Sequence, residues 1–237
     1  ARFDREGADV DLFIERRLGL LTLAIGIALV RLDLQRQFVA AIGQLAALGE
    51  GDLIAVLGHY GLDRVAVVGC SQGGGSGLAL ALEQPARVSA LVLLCPGIPG
   101  YPWPEEPDEL DAEYERALDA GDVDALADLL QRIWAGASPT PEVMEQLRSA
   151  ARAEVSSGDM QQDDPPVYDR LGEISVPTAL LVGDADYPPL IQANREAAAR
   201  IRNCELIVVP GMDHRPPLRE PGLVLRTITS TLARADW

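Results

Sequence analysis

The sequence predicts an α/β protein: a mostly parallel, doubly wound sheet carrying an inserted helical cap. Three observations carry that expectation. Strand, helix and strand patterns follow one another within about thirty residues over 65–94, the span of a βαβ unit. The same alternation resumes at Val176. Between the two lies a stretch, 96–172, with helical spacing and no strand pattern. The expected division is therefore a core of 1–95 and 173–237 with a helical cap of 96–172.

Taken in order, residues 10–14 read as a short strand and 25–32 as another, ending at Asp33. Residues 36–60 read as helix, interrupted near Gly49-Glu50-Gly51. Apolar side chains at Phe38, Ile42, Leu45 and Leu48, then Leu53, Val56 and Leu57, keep helical spacing. Gly61 caps that helix. Val65-Ala66-Val67-Val68 is a buried strand, and it runs straight into Gly69-Cys70-Ser71-Gln72-Gly73. A small-residue helix follows, broken at Pro85, and 88–94 is the next buried strand.

The loop 96–104 holds four prolines and two glycines. Helices are expected over 106–120, 123–135 and 141–156, with Asp122 capping the second and Thr140-Pro141 opening the third. The acidic run from Glu105 to Glu115 reads as a solvated helix face. Then come a strand at 178–182, a helix over 188–201, a last strand at 205–209 and a helix over 223–233.

Composition narrows the function. The 237 residues carry 36 acidic and 20 basic side chains, a net charge of −16. Nucleic acid needs a basic footprint, so it is not an expected partner. Anionic membranes and polyanionic substrates are disfavoured for the same reason. The longest apolar run, 18–30, is shorter than the ~20 residues that span a bilayer. Acidic residues precede it, which does not suit a secretory leader, so a cytoplasmic protein is expected. Cys70, Cys95 and Cys204 read as buried free thiols, and Cys70 beside the elbow reads as packing. Two histidines and no zinc spacing give no expected metal site, and no cofactor is expected. A homodimer is the assembly the sequence leaves open.

The pattern Gly69-x-Ser71-x-Gly73, between a strand and a helix, is the context of a nucleophile elbow. Glycines two before and two after the serine remove Cβ atoms that would collide in so sharp a turn. The helix behind it aims N–H groups at an oxyanion formed there. The blander reading is a glycine-rich turn without chemistry. A phosphate loop does not fit, because no P-loop lysine follows and no G-x-G-x-x-G opens the helix.

A serine hydroxyl needs a base, and the base needs a carboxylate to orient it. His59 lies in a helix leading into the central strand and reads as surface. His214 follows the last strand, where a base could swing over Ser71. Asp184 and Asp186 both follow the strand at 178–182, and either could instead serve a turn or a helix cap. Asp213, next to His214, is expected to point elsewhere.

With the order Ser71, Asp186, His214, the fragments GLDRVAVVGCSQGG (61–74), YDRLGEISVPTALLVGDADYP (168–188) and LIVVPGMDHRPPLREP (206–221) resemble the alpha/beta-hydrolase family. The likeness is to its esterase, lactonase and haloperoxidase-like branch and covers 60–237. It implies Ser71 as nucleophile, Asp186 as acid and His214 as base, with the Gln72 backbone N–H as one oxyanion donor. It also implies that 96–172 form a lid over an apolar pocket. Ile98, Tyr101, Trp103 and Trp134 are candidate walls, with packing inside the cap as the other reading. The departure is that no His-Gly precedes Ser71 to supply a second oxyanion donor.

The expected activity is hydrolysis of a small, largely apolar carboxylic ester or lactone through an acyl-enzyme. A catalytically impaired ligand-binding relative, or a C–C hydrolase or perhydrolase using the same triad, are the alternatives.

Overall fold

The computed structural model describes residues 27–31, 38–42, 50–104, 108–136, 139–157 and 164–236. The strand expected at 10–14 lies outside them. Six strands form one sheet: β1 (Ile27–Arg31), β2 (Phe38–Ile42), β3 (Val65–Cys70), β4 (Val88–Leu94), β5 (Thr178–Gly183) and β6 (Cys204–Val209), side by side in chain order. β1 pairs antiparallel with β2, and every other pair is parallel.

β2 corrects the sequence reading, which placed helix over 36–60 with an interruption near Gly49-Glu50-Gly51. Its backbone pairs with β3, Val39 with Ala66 through Ile42 with Gly69. A five-residue apolar run satisfies helical and strand patterns alike, and the parallel partner decides. The first helix among the described residues is α1 (Glu50–His59), and the expected helical positions Leu45 and Leu48 lie outside them. The helix ends on Gly61 at φ 62°, where Leu62 N–H returns to Leu57 O at 2.9 Å.

Successive strand residues point to opposite faces, so the sheet makes two cores. Val65 and Val67 of β3, Leu91 and Leu93 of β4 and Leu180 and Val182 of β5 lie in one. α1, α2 (Gln72–Glu83) and α6 (Pro188–Arg200) cover that face. Right-handed crossovers between strands that advance in one direction place their helices on the same side. Ala66, Val68, Ala90, Val92 and Leu181 face the other way, under α8 (Pro221–Leu232), which follows the short α7 (Pro216–Arg219).

Between β4 and β5 the chain forms α3 (Asp108–Asp119), α4 (Val123–Trp134) and α5 (Pro141–Ser157). Asp122 caps α4, accepting from Ala125 N–H at 3.0 Å, and Thr140 caps α5 through Val143 N–H at 3.3 Å. These helices share a core of their own, with Leu126, Leu130, Val143 and Leu147 at its centre. Trp134 packs against this core and against the main one. The two connections to the sheet meet: Val167 and Tyr168 N–H both donate to Pro99 O, at 2.8 and 3.1 Å. α6 holds the outgoing connection through Asn194 Nδ2, which donates to Pro96 O at 2.8 Å. Among the described residues no helix is long and apolar enough to cross a membrane.

Candidate active site

Ser71 stands between β3 and α2 with φ 55° and ψ −122°. That left-handed turn is strained for a residue with a Cβ. Bonds on both sides hold it. Ser71 N–H donates to Leu94 O at 3.0 Å, and Ser71 O accepts from Gly74 and Gly97 N–H at 2.9 Å each. A Cβ on Gly69 would stand 2.3 Å from Gly73 O, so the turn closes only over a glycine. Gln72 is the first residue of α2, where a backbone N–H has no acceptor within its own helix.

The ends of β5 and β6 bring Asp186 and His214 together. His214 Nδ1 lies 2.9 Å from Asp186 Oδ2 and 3.2 Å from Oδ1. Both side chains are buried, at 6% and 1% exposure for the residues. Asp186 Oδ1 also accepts Tyr187 N–H at 2.7 Å. Asp184, the competing carboxylate, is exposed and accepts Gly211 N–H at 2.5 Å, so it braces the turn that carries His214. His59 is exposed and lies edge-on to Tyr60. A free imidazole exchanges protons at Nε2 once Nδ1 is committed to a carboxylate. Here Nε2 is buried with no hydrogen-bond partner among the described residues, so the Ser71 hydroxyl does not bond it in this structure.

Of the four candidate wall residues, Trp134 is the one brought against the imidazole. Its ring centroid is 4.6 Å from that of His214, and Trp134 O accepts His214 N–H at 3.3 Å. Tyr187 stands edge-on to the same indole. Ile98 lies fully inside the main core. Tyr101 donates to Glu196 on α6 at 3.4 Å and touches Trp103 and Tyr168 edge-on. Trp103 is 42% exposed.

Sequence reasoning missed the polar cluster around this pair. Asp213 is fully buried and takes a two-pronged contact from Arg219, at 3.1 and 2.6 Å, and the Arg215 N–H at 3.2 Å. Arg215 is buried as well, and burial pulls its guanidinium below its ordinary pKa. An aspartate beside histidine in a loop gives no sign of being buried. Arg219→Ala should cost about 3 kcal/mol, because it removes the two-pronged ion pair from a buried carboxylate. Urea unfolding checks it.

Cys95 was also missed as a neighbour of the site. Cys95 Sγ, an Asp186 oxygen and a His214 ring nitrogen lie within 4.8 Å of one another, the one such potential ligand set among the described residues. Burial and the Asp186 carboxylate push the Cys95 thiol well above its ordinary pKa. Metal binding needs a thiolate and a bare imidazole nitrogen, so this donor set is poorly matched to a cation. Burial pushes Cys70 up to about 12, which leaves that thiol protonated and unreactive at neutral pH.

The family model described as "Alpha/beta hydrolase family" matches residues 21–227. The chain belongs to the alpha/beta hydrolase family. Solved structures agree on the fold. The esterase EaEST from Exiguobacterium antarcticum is 23% identical, with TM-score 0.63 over 76% of this chain and 71% of that one. MenH from S. aureus is 18% identical, with TM-score 0.62 over 83% of each chain. Est816, titled an N-acyl homoserine lactone degrading enzyme, is 23% identical, with TM-score 0.59 over 76% of this chain and 72% of that one. This hydrolase thus shares its framework with proteins titled an esterase and an N-acyl homoserine lactone degrading enzyme.

Proposed function

We infer that this chain is a serine hydrolase acting on a small, largely apolar carboxylic ester or lactone. One observation carries the reading: a strained elbow serine at the end of β3 and a buried Asp186–His214 pair at the ends of β5 and β6 share one rim of a parallel sheet. Family membership supports it, and so do neighbours named as an esterase and a lactone-degrading enzyme.

In this mechanism Ser71 Oγ attacks the carbonyl carbon and His214 Nε2 takes its proton. Asp186 holds the imidazole through Nδ1 and stabilises its cation. The Gln72 N–H steadies the oxyanion at the positive end of α2. His214 then protonates the leaving alcohol, and a water activated by the same nitrogen frees the acid. The Oγ–Nε2 bond forms as substrate settles, since catalytic hydrogen bonds commonly tighten only in the complex. Residues 96–172 act as the cap, and Trp134, at the end of α4, forms the apolar wall over the base.

A fluorophosphonate probe tests the assignment. Stoichiometric labelling at Ser71, blocked by an ester substrate, is expected. The unbonded Nε2 is the observation that favours the rival, a ligand-binding relative without turnover. Absence of labelling on folded protein would decide for that rival.

Trp134→Ala should raise KM for a hexanoyl ester by about tenfold while acetyl esters change less, because a large aromatic contact is lost. Steady-state kinetics over an acyl-length series checks it.

A further inference from the structure

Ser71 and Cys95 are the two non-glycine residues at positive φ among the described residues, at 55° and 47°. Both stand directly after adjacent parallel strands, β3 and β4. Backbone strain of this kind persists where surrounding structure enforces it, and it clusters at working sites. The elbow explains Ser71. Nothing in the proposed mechanism yet explains Cys95. If Cys95 merely filled space, glycine or a residue in extended backbone would serve with less strain.

The strained backbone has a visible result. Cys95 N–H is fixed to Leu181 O at 2.7 Å, and the residue is wholly buried. The turn sends Sγ across the end of β5 to the Asp186 carboxylate, inside the 4.8 Å cluster that also contains the His214 ring. Asp186 is the acceptor beside the thiol, and burial together with that carboxylate's charge favours a thiol that keeps its proton. Asp186 otherwise accepts from Tyr187 N–H on Oδ1 and from His214 Nδ1.

We propose that Cys95 is a positioning residue, whose buried thiol donates to Asp186 and holds that carboxylate in line with the His214 imidazole. The inference rests on the triad reading above. The thiol is suited to the task because burial, followed by the charge of Asp186, keeps it protonated and therefore a donor. A third donor on the carboxylate limits its rotation about Cβ–Cγ and so limits where the imidazole can point. The neighbouring Cys70 and Arg215 also sense the charge of Asp186.

The test compares Cys95→Ala, Cys95→Gly and Cys95→Ser with the parent, alongside Ser71→Ala. Alanine and glycine remove the donor, and glycine also relieves the backbone. Both should lower kcat for a p-nitrophenyl ester about tenfold with KM unchanged, the scale of one hydrogen bond to a charged group. Serine keeps a donor and should restore kcat to within about threefold of the parent. The sequence has two histidines, so the His214 Nδ1 proton can be followed by NMR as a low-field resonance. It should move or broaden in the alanine and glycine proteins and return with serine.

Unchanged kcat and resonance in the alanine or glycine protein would overturn the proposal. So would equal losses in serine and alanine, which would assign the effect to packing. If alanine fails to fold, glycine carries the comparison. Should the parent show no turnover that depends on Ser71, the triad reading fails by itself, and the resonance still reports whether Cys95 holds the Asp186–His214 pair.

Discussion

Alanine at Ser71 is expected to lower kcat/KM for short p-nitrophenyl esters by about 10⁴- to 10⁶-fold without loss of stability. The size follows from what the side chain does: without Oγ no acyl-enzyme forms, and the remaining His214 can at best activate water. The backbone at this position argues that stability will hold. Ser71 pays for a left-handed conformation that alanine adopts equally, and the bonds that fix the turn all run through main-chain atoms: its own N–H to Leu94 O, and its carbonyl to Gly74 and Gly97. Stopped kinetics on purified protein, with a melting curve as control, checks both halves. A variant that keeps more than a hundredth of the parental rate would point to a different nucleophile.

Gly183→Ala is expected to be the most disruptive substitution in the sheet. A Cβ there would stand 1.8 Å from Met212 O and 2.4 Å from its carbonyl carbon. No rotamer change relieves a clash with main chain, so the end of β5 and the loop after β6 would have to part. The expected cost exceeds about 4 kcal/mol. The same movement would draw His214, two residues beyond Met212, away from Asp186, three residues beyond Gly183. Urea unfolding should show a fall in midpoint, and whatever folded fraction remains should have lost the His214–Asp186 hydrogen bond. By contrast, alanine at Gly58 meets nothing within 4 Å and should be nearly silent.

The sheet from Val65 onward could be read in advance, for a physical reason. Strands buried on both faces need runs dominated by apolar residues, and 65–68, 88–94 and 178–182 supply them. Gly69 announced the elbow because glycine alone tolerates its approach to the Gly73 backbone. Phe38–Ile42 misled because a short, alanine-containing run fits two periods, and only its pairing with β3 selects one.

The site was legible in kind but not in detail. Two aspartates two residues apart cannot be ranked by spacing. The structure separates them, since Asp184 is spent on Gly211 N–H while Asp186 faces His214. Cys95 was unreadable as a neighbour of Asp186, because nothing in the sequence marks the positive φ at the end of β4 or the approach of its side chain to that carboxylate. Trp134 was among four candidate wall residues that the sequence could not rank, because its contact with His214 depends on how the inserted helices settle.

The shared acceptor at Pro99 O has a consequence for descent. Where a detour leaves and rejoins its road at one point, the road does not register how long the detour is. Helices between residues 100 and 166 can be lengthened, lost or replaced while β4 and β5 stay side by side, Leu91 beside Thr178. Selection can therefore rewrite what reaches the serine without renegotiating the scaffold beneath it.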